Sequence, residues 1–383
     1  MKYQQFIDYL FYKSRKSGAP MSGTFELTSR CNLDCRMCYI HKRANDQTAI
    51  QGELSASDWI NYAKEAQKSG MLLLLLTGGE PLLRPDFREI YTACINLGIL
   101  ISINTNGTLI DESMVEFFKK NPPLRVNLTL YGASPETYQR LCGDPTAYNR
   151  AYKAVELLTN AGIRVKLNFS ATPENSDDLP QIYKFAKEKN LLLQVASYMF
   201  PPLRACEFGD CAAHRLTPEQ AGKIRWSYDE YRFDDEKLRE RAEKFLASKA
   251  VPDEDNECQE LPTERIRCRA GSTTFWMTWK GDMRPCGMMT TPSISVTENG
   301  FQNAWSFIKE EREKIMLPAK CTACKKGAVC ELCPAACYAE NEDYTVVPEY
   351  LCHKLDAFLN EARNWLDKHP KTDTEKERTQ NET

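Results

Sequence analysis

Cys31-Asn32-Leu33-Asp34-Cys35-Arg36-Met37-Cys38 places three thiols at CxxxCxxC spacing, just after an apolar run, Thr24 to Leu27, that reads as a strand. Cysteines this close cannot all pair as disulfides, but they can converge on one metal centre. A cubane iron–sulfur cluster normally takes four thiolates, so a three-thiolate set leaves one iron open to a ligand that is not protein. A structural zinc site or chance spacing is the competing account, and the rest of the chain decides between them.

The chain has 383 residues, 42% of them hydrophobic, which is enough for two domains or for one large barrel with an extension. A net charge of −3 lacks the strong basic bias of a nucleic-acid footprint. No apolar run approaches the roughly 20 residues of a membrane span. Residues 1–20 carry Phe6, Leu10 and Phe11 among polar residues, without the contiguous apolar core of a signal peptide. They read as a short amphipathic helix covering one barrel end. Sixteen cysteines cluster in metal-ligand spacings in a long chain without an export signal. That pattern points to metal binding in the cytoplasm rather than to disulfides, with neither nucleic acid nor membrane as a partner.

From residue 21 to about 200 strands alternate with helices. Strand-like runs are Thr24–Leu27, Leu72–Thr77, Leu100–Asn104, Val126–Leu130, Val165–Phe169 and Leu192–Tyr198. Helical stretches are Asp58–Ser69, Phe87–Leu97, Ser113–Lys119, Tyr148–Ala161 and Leu179–Lys189. The unbroken run Leu72 to Leu76 suits a strand buried on both faces of a parallel sheet. Right-handed crossovers then give a parallel α/β layer, either an open doubly wound sheet or a partial barrel. In a barrel the chemistry sits at the carboxyl ends of the strands. The cysteine octet falls there, and so does Thr77-Gly78-Gly79-Glu80-Pro81 after the second strand. Its glycines let backbone approach a ligand closely, and Glu80 can accept from an ammonium group. The third strand leads into Asn104-Thr105-Asn106-Gly107-Thr108, and the fourth into Thr129-Leu130-Tyr131-Gly132.

Residues 198–204 are unusually apolar for a barrel mouth and read as a wall of a substrate cavity or as a packed connector. Thr217 before Pro218 marks a helix start, with threonine as N-cap and proline in the first turn. The helical composition runs from Thr217 to Ala247, and residues 251–264 read as an acidic linker or lid. A second cysteine field begins at Cys268. It contains the aromatic strand-like segment Phe275–Trp279, the turn Gly281 to Cys286, then Cys321, Cys324, Cys330, Cys333, Cys337 and Cys352. On its own, this field fits zinc as well as iron.

CxxxCxxC one strand–helix unit ahead of Gly-Gly-Glu-Pro resembles the radical S-adenosylmethionine (SAM) superfamily. Met37 stands where that family often has an aromatic residue before the third cysteine, and Tyr39 follows it. The later field resembles the SPASM domain found in peptide-modifying members. The resemblance implies a partial (β/α)6 TIM-type barrel followed by a small cysteine-rich α+β SPASM domain. The expected segments are a helical extension at 1–20, the barrel at 21–204, a helical bridge and linker at 205–264, the SPASM domain at 265–360 and a charged disordered tail at 361–383.

The resemblance also implies ligands. Cys31, Cys35 and Cys38 would hold a [4Fe–4S] cluster whose open iron is chelated by SAM. Gly78, Gly79, Glu80 and Pro81 would hold the SAM amino group. Thr129 and Arg140 would contact its ribose and carboxylate, with Tyr39, Asn104 and Asn168 as further cofactor contacts. One auxiliary [4Fe–4S] cluster would take Cys321, Cys324, Cys330 and Cys352. A second, nearer SAM, would take Cys268, Cys286 and either Cys333 or Cys337, with Cys333 favoured and Cys258 able to complete it. Cys94 reads as a core residue. Cys142, Cys206 and Cys211 read as loop thiols near the mouth, where one could return a hydrogen atom to a substrate.

The chemistry implied is reductive cleavage of SAM to a 5′-deoxyadenosyl radical, which abstracts hydrogen from a peptide or protein. An external one-electron donor such as flavodoxin or ferredoxin would drive it. The first expectation is maturation of a ribosomally made peptide through a thioether or carbon–carbon crosslink. Formylglycine formation on sulfatases, peptide epimerisation and a non-catalytic zinc or iron–sulfur carrier are the alternatives. With 20 residues ahead of the first strand, peptide recognition is expected to fall to a separate protein or to the barrel mouth itself.

Overall fold

Helix α1 (Tyr3–Ser17) leads into six parallel strands that lie side by side in chain order. They are β1 (Ser22–Glu26), β2 (Leu73–Thr77), β3 (Leu100–Thr105), β4 (Arg125–Thr129), β5 (Val165–Ser170) and β6 (Leu192–Ala196). This computed structural model describes residues 3–40, 42–201, 214–247, 266, 268–322, 324, 326–327, 329–330 and 332–370. Helices α2 (Ala56–Lys68), α3 (Phe87–Asn96), α4 (Glu112–Lys120), α5 (Pro135–Cys142), α6 (Thr146–Asn160) and α7 (Leu179–Glu188) form the crossovers.

Strand alternation sorts the side chains. Leu74, Leu76, Ile101, Ile103, Val126, Leu128 and Leu167 face the helices and are buried. Each such burial contributes roughly 1.5–3 kcal/mol. The opposite parity, Ser102, Asn104, Asn127, Thr129, Asn168 and Gln194, is largely polar and turns toward the barrel interior. Leu73 and Leu75 belong to this inner set and are only half-buried, so the leucine run is enclosed on the helix side more fully than on the other. They line a cavity at the amino ends of the strands together with Ile7 of α1, which puts the N-terminal helix against that end of the barrel.

The first crossover helix shows how the layers lock. Ser55 caps α2 and shares a capping box with Asp58. Trp59, Ala63 and Ala66 then fall on one face and are fully buried, with the Trp59 ring 4.7 Å from Phe25 of β1. Helix α5 had no counterpart among the expected helices. It is fixed by short-range signals instead, namely Ser134 as N-cap, Pro135 in the first turn and Gly143 in the left-handed region after the last turn.

The later segment is not a separate layer beside the barrel. Strand β7 (Thr274–Met277) pairs parallel with β1, Ser22 opposite Thr274 and Phe25 opposite Met277. Strands β8 (Asp282–Arg284) and β9 (Ile294–Ser295) add on antiparallel, giving one nine-stranded sheet in the order β9-β8-β7-β1-β2-β3-β4-β5-β6. A partial barrel leaves the edge of β1 unpaired, and the buried side chains of Phe275 and Met277 extend its core.

The stretch from Thr217 to Ala247 divides into α8 (Pro218–Arg232) and α9 (Asp235–Ala247), because Asp234 accepts from the Lys237 N–H and starts a second helix. Thr217 caps α8 as expected. After α10 (Phe301–Lys314) and α11 (Pro334–Asn341), the long helix α12 (Glu349–Lys368) packs along α8. Gly222 permits that approach, since a Cβ there would meet Ala357 Cβ at 2.5 Å. The boundary expected at residue 361 is therefore corrected. Helix α12 runs on to Lys368, because Ala362 and Trp365 bury against Trp226 and its neighbours. Residues 371–383 lie outside the described residues.

Candidate active site

The cysteine octet opens on a two-residue strand, Arg30–Cys31, paired with Lys42–Arg43. It then turns across the carboxyl end of α5. The Asp34 and Arg36 N–H groups donate to the carbonyls of Cys142 and Leu141, at 3.0 Å each, and so satisfy acceptors that a helix end leaves open. Cys142 is thus no loop thiol at the mouth. It is a buried core residue behind the cysteine loop, 1% exposed. Cys206, Cys211 and Cys258 lie outside the described residues.

Burial, then Cys35 and Glu80, push the Cys31 thiol well up from its ordinary value. The Cys142 thiol, then burial, do the same for Cys35. Cys31 also feels Cys38, so the three thiols occupy one electrostatic neighbourhood. Such a set resists deprotonation by itself, and a cationic iron centre supplies the compensation that three thiolates need. The donor chemistry fits a cluster with an open iron. Among the described residues no three ligand side chains close to the distances of a single metal ion.

The Gly-Gly-Glu-Pro turn abuts this loop. The Gly79 N–H donates to the Thr28 carbonyl at 2.7 Å, and the Glu80 N–H to the Arg30 carbonyl at 2.8 Å. A Cβ on Gly79 would stand 2.3 Å from the Arg30 oxygen. These glycines therefore let two protein backbones meet, in addition to whatever ligand they approach. Pro81 is buried in the short turn that follows. Glu80 is fully buried and accepts from the Leu82 N–H (3.0 Å), the Asn106 N–H (2.8 Å) and the Thr105 hydroxyl (2.9 Å). Burial outweighs these bonds and raises its carboxyl to about 7.

Beneath the loop lies an ion network that the sequence reading did not foresee. The Arg30 guanidinium grips Glu53 at 2.8 and 3.0 Å, and Thr28 also donates to Glu53. Arg84 donates to the carbonyls of Leu27 (2.9 Å) and Leu54 (3.0 Å), pairs with Asp86 (2.7 Å) and reaches Glu53 at 3.4 Å. This buried set binds the strand before the cysteines to the turn after Glu80.

The third strand supplies Thr105 and Asn106 rather than Asn104. Asn106 donates to Asn32 within the octet at 3.0 Å and lies 3.7 Å from Cys31 Sγ. Asn104 lies within the strand and accepts from Asn127 at 2.8 Å. Thr129 and Asn168 are partners in register on the inner face, and Asn168 Oδ1 is enclosed without a hydrogen bond. Arg140 is exposed on α5 and donates to the Glu174 carbonyl at 3.0 Å. Tyr39 is half-buried beside Cys38 in the chain. Tyr131 is an addition from the structure. Burial, then the thiols of Cys35, Cys142, Cys31 and Cys38, push its phenol up. Its place after β4 was the only available signal.

The second field forms two thiol groups. Cys268, Cys321, Cys324, Cys330 and Cys352 line one cavity of about 390 Å³. Burial, with Cys352, Cys321 and Cys324 adding, pushes Cys330 to about 11, while Arg225 opposes. Burial likewise raises Cys286 to about 11, with Cys333 and Cys268 adding. Cys333 stands at the start of α11, where the N–H groups of Ala336 and Ala335 counter its burial. Cys337 lies within α11, fully buried and pushed up to about 12 by that burial. Cys94 is a fully buried core residue on α3.

The Radical SAM superfamily model matches residues 25–186. The chain is 25% identical to the AdoMet-dependent heme synthase of Methanosarcina barkeri over 88% of its own length and 98% of that protein. It is 30% identical to the probable GTP 3′,8-cyclase of Thermoplasma volcanium over 66% of this chain and 69% of that protein. It is 30% identical to the PqqA peptide cyclase of Granulibacter bethesdensis over 44% of each. Among solved structures, SuiB of Streptococcus suis bound to S-adenosylmethionine covers 91% of this chain and 81% of its own, at TM-score 0.65 and 20% identity. Native anSMEcpe with bound AdoMet covers 91% and 98%, at TM-score 0.67 and 20% identity. The chain belongs to the radical SAM superfamily. It is an enzyme with the partial-barrel fold, and its chemistry uses SAM and a [4Fe–4S] cluster. Among the described residues no helix is long and apolar enough to cross a membrane.

Proposed function

We propose that this enzyme modifies a peptide in the cytoplasm and carries two auxiliary [4Fe–4S] clusters in its second cysteine field. The observation that carries the reading is the gathering of the thiols into two fields. One lies at the carboxyl end of the barrel, and the other lies in the segment that continues the same sheet, where Cys268 borders both the Cys321–Cys352 cavity and Cys286. Cys31, Cys35 and Cys38 hold the SAM cluster, and Glu80 receives the SAM ammonium. Cys321, Cys324, Cys330 and Cys352 hold one auxiliary cluster. Cys268, Cys286 and either Cys333 or Cys337 hold the other, with Cys333 favoured because Cys268 influences Cys286 and Cys333 alike. When bound, SAM and the clusters supply a 5′-deoxyadenosyl radical able to take hydrogen from an unactivated carbon, and a sink for the electron left behind. The chain's own part is to fix SAM, hold the target carbon and exclude water. Similarity to the PqqA peptide cyclase over 44% of this chain supports a peptide crosslink.

A second reading, a tetrapyrrole substrate, is favoured by the alignment with heme synthases along nearly their whole length. Anaerobically reconstituted enzyme, reductant and SAM are incubated with peptides encoded beside the gene and, separately, with Fe-coproporphyrin III. Mass spectrometry of a peptide that has lost a hydrogen pair supports the first reading. A modified porphyrin with unchanged peptides overturns it.

A further inference from the structure

5′-Deoxyadenosine formed in the absence of substrate must take its hydrogen atom from some other bond, and Tyr131 is placed to offer one. It follows β4 at the carboxyl end of the barrel, half-buried, with the thiols of Cys35, Cys142, Cys31 and Cys38 as its electrostatic neighbours. Its ring is the first in a series of tyrosines in contact. Between ring centroids, Tyr131 meets Tyr138 at 6.0 Å, Tyr138 meets Tyr148 at 5.8 Å and Tyr148 meets Tyr152 at 4.5 Å. Each spacing is that of a packed aromatic pair. The series runs from beside the cysteine loop through α5 to α6, where Tyr148 and Tyr152 are half-buried.

Packing alone does not call for the hydroxyls. Phenylalanine fills nearly the same space, and a buried phenol costs free energy unless it is bonded. Tyr138 is fully buried and accepts from the Tyr131 N–H at 3.3 Å, and Tyr152 donates to the Gly132 carbonyl at 3.1 Å. Two of the outer phenols are thus fastened to the segment that carries Tyr131.

A phenol O–H is weaker than the C–H bond that a primary alkyl radical forms with its hydrogen, whereas the O–H of water is stronger. We propose that, when no substrate is bound, Tyr131 gives its hydroxyl hydrogen to the 5′-deoxyadenosyl radical, and that Tyr138, Tyr148 and Tyr152 pass the resulting phenoxyl outward. The first step breaks the Tyr131 O–H bond and forms a C5′–H bond. Each later step returns a hydrogen atom, as electron and proton, from the next tyrosine to the inner phenoxyl. The last phenoxyl takes one electron from the external one-electron donor and a proton from water. The inference rests on radical SAM chemistry alone, not on a peptide substrate or on auxiliary clusters.

The test supplies the reconstituted full chain with SAM and titanium(III) citrate in deuterium oxide, without substrate or added thiol. Phenol hydrogens exchange with solvent, so mass spectrometry should find solvent deuterium in the 5′-deoxyadenosine made by the wild type. Tyr131→Phe should lose it, while Cys142→Ala, which removes a neighbouring exchangeable thiol, should keep it. Freeze-quenched wild type should show a tyrosyl radical by electron paramagnetic resonance, narrowed when the protein is made with ring-deuterated tyrosine. Tyr138→Phe should change its hyperfine pattern by confining the spin to Tyr131. The wild-type spectrum needs no substitution and decides the matter if Tyr131→Phe fails to fold by circular dichroism. Product without deuterium from the wild type, deuterium kept by folded Tyr131→Phe or lost by Cys142→Ala, or no tyrosyl signal overturns the proposal. A pattern unchanged in Tyr138→Phe overturns the outward route.

Discussion

The two cysteine fields are held in different ways. The first occupies eight residues and rests on buried polar structure, with Glu80 under Thr105 and Asn106, and Arg30 and Arg84 around Glu53. The second runs from Cys268 to Cys352 and lines a cavity whose other walls include Leu317, Pro334, Pro348, Leu351 and Leu355. Its nearby ion pair, Lys326 with Asp356, is about half exposed. A site made from one loop can be positioned by a few fixed hydrogen bonds. A site made from distant segments depends on apolar packing and on the metal itself to hold those segments together.

If that contrast is right, removing thiols has unequal consequences. Replacing Cys31, Cys35 and Cys38 by alanine should abolish 5′-deoxyadenosine formation, because SAM then loses its chelating iron. Replacing Cys321 and Cys324 should leave uncoupled SAM cleavage while product formation fails. Chromatography of 5′-deoxyadenosine measures both, with circular dichroism and gel filtration to verify folding. A folded Cys321/Cys324 variant that lost all SAM cleavage, or kept full product formation, would break the division of labour.

Iron content sharpens the comparison within the second field. Reconstituted enzyme should hold about twelve irons, on four per cluster. Cys333→Ser should lose about four of them, while Cys337→Ala should lose none. About four irons with zinc making up the remainder would remove the auxiliary clusters altogether. Equal iron loss in both cysteine variants would move Cys337 into the ligand set.

The first field was largely legible because its signals are local. CxxxCxxC and Gly-Gly-Glu-Pro lie within fifty residues of each other, and each follows a strand whose apolar run is unmistakable. What stayed hidden is what needed three dimensions. Arg30, Glu53 and Arg84 look like solvated charges in the chain and become one buried network only when the strands pair. Asn104 and Asn106 differ by two residues. Asn104 sits within β3, where its amide meets Asn127, while Asn106 lies past the strand end and reaches Asn32. In the second field spacing alone left Cys333 and Cys337 open, and the helix that starts at Pro334 puts Cys333 at its N-cap and Cys337 inside it. The edge of β1 gave no hint in sequence that β7 would pair with it.

A stability test follows from the same contrast. Glu53 and the two arginine side chains it faces are each less than one-tenth exposed. Glu53→Ala leaves both arginines without that partner, and breaking a buried pair costs about 3–5 kcal/mol. Lys326→Ala in the second field removes only a half-exposed pair, which contributes at most about 1 kcal/mol. Denaturant midpoints of the two variants, measured on cofactor-loaded protein, should differ accordingly. Similar losses would mean that the second field also rests on polar contacts.

A further test concerns Glu80 and its acidity. Burial lifts its carboxyl from the ordinary 4.5 to about 7 in the folded, cofactor-free protein. A raised folded value means that the neutral form is favoured by the fold. The associated stability is complete below the unfolded value of 4.5 and is lost as pH rises through about 7. SAM binding runs the other way, because its ammonium pairs with the ionised form. Affinity should therefore increase as pH climbs through about 7 and level off above it. Glu80→Gln removes a charge-assisted bond of roughly 1.5–3 kcal/mol, which is about a ten- to hundred-fold loss of affinity at alkaline pH. It should also flatten both pH profiles while leaving iron content unchanged. Isothermal titration of SAM into wild type and variant, from mildly acidic to alkaline pH, measures the two slopes together. A variant that kept wild-type affinity and its pH dependence would place the SAM ammonium elsewhere, and would leave Glu80 as a clamp between the second and third strands.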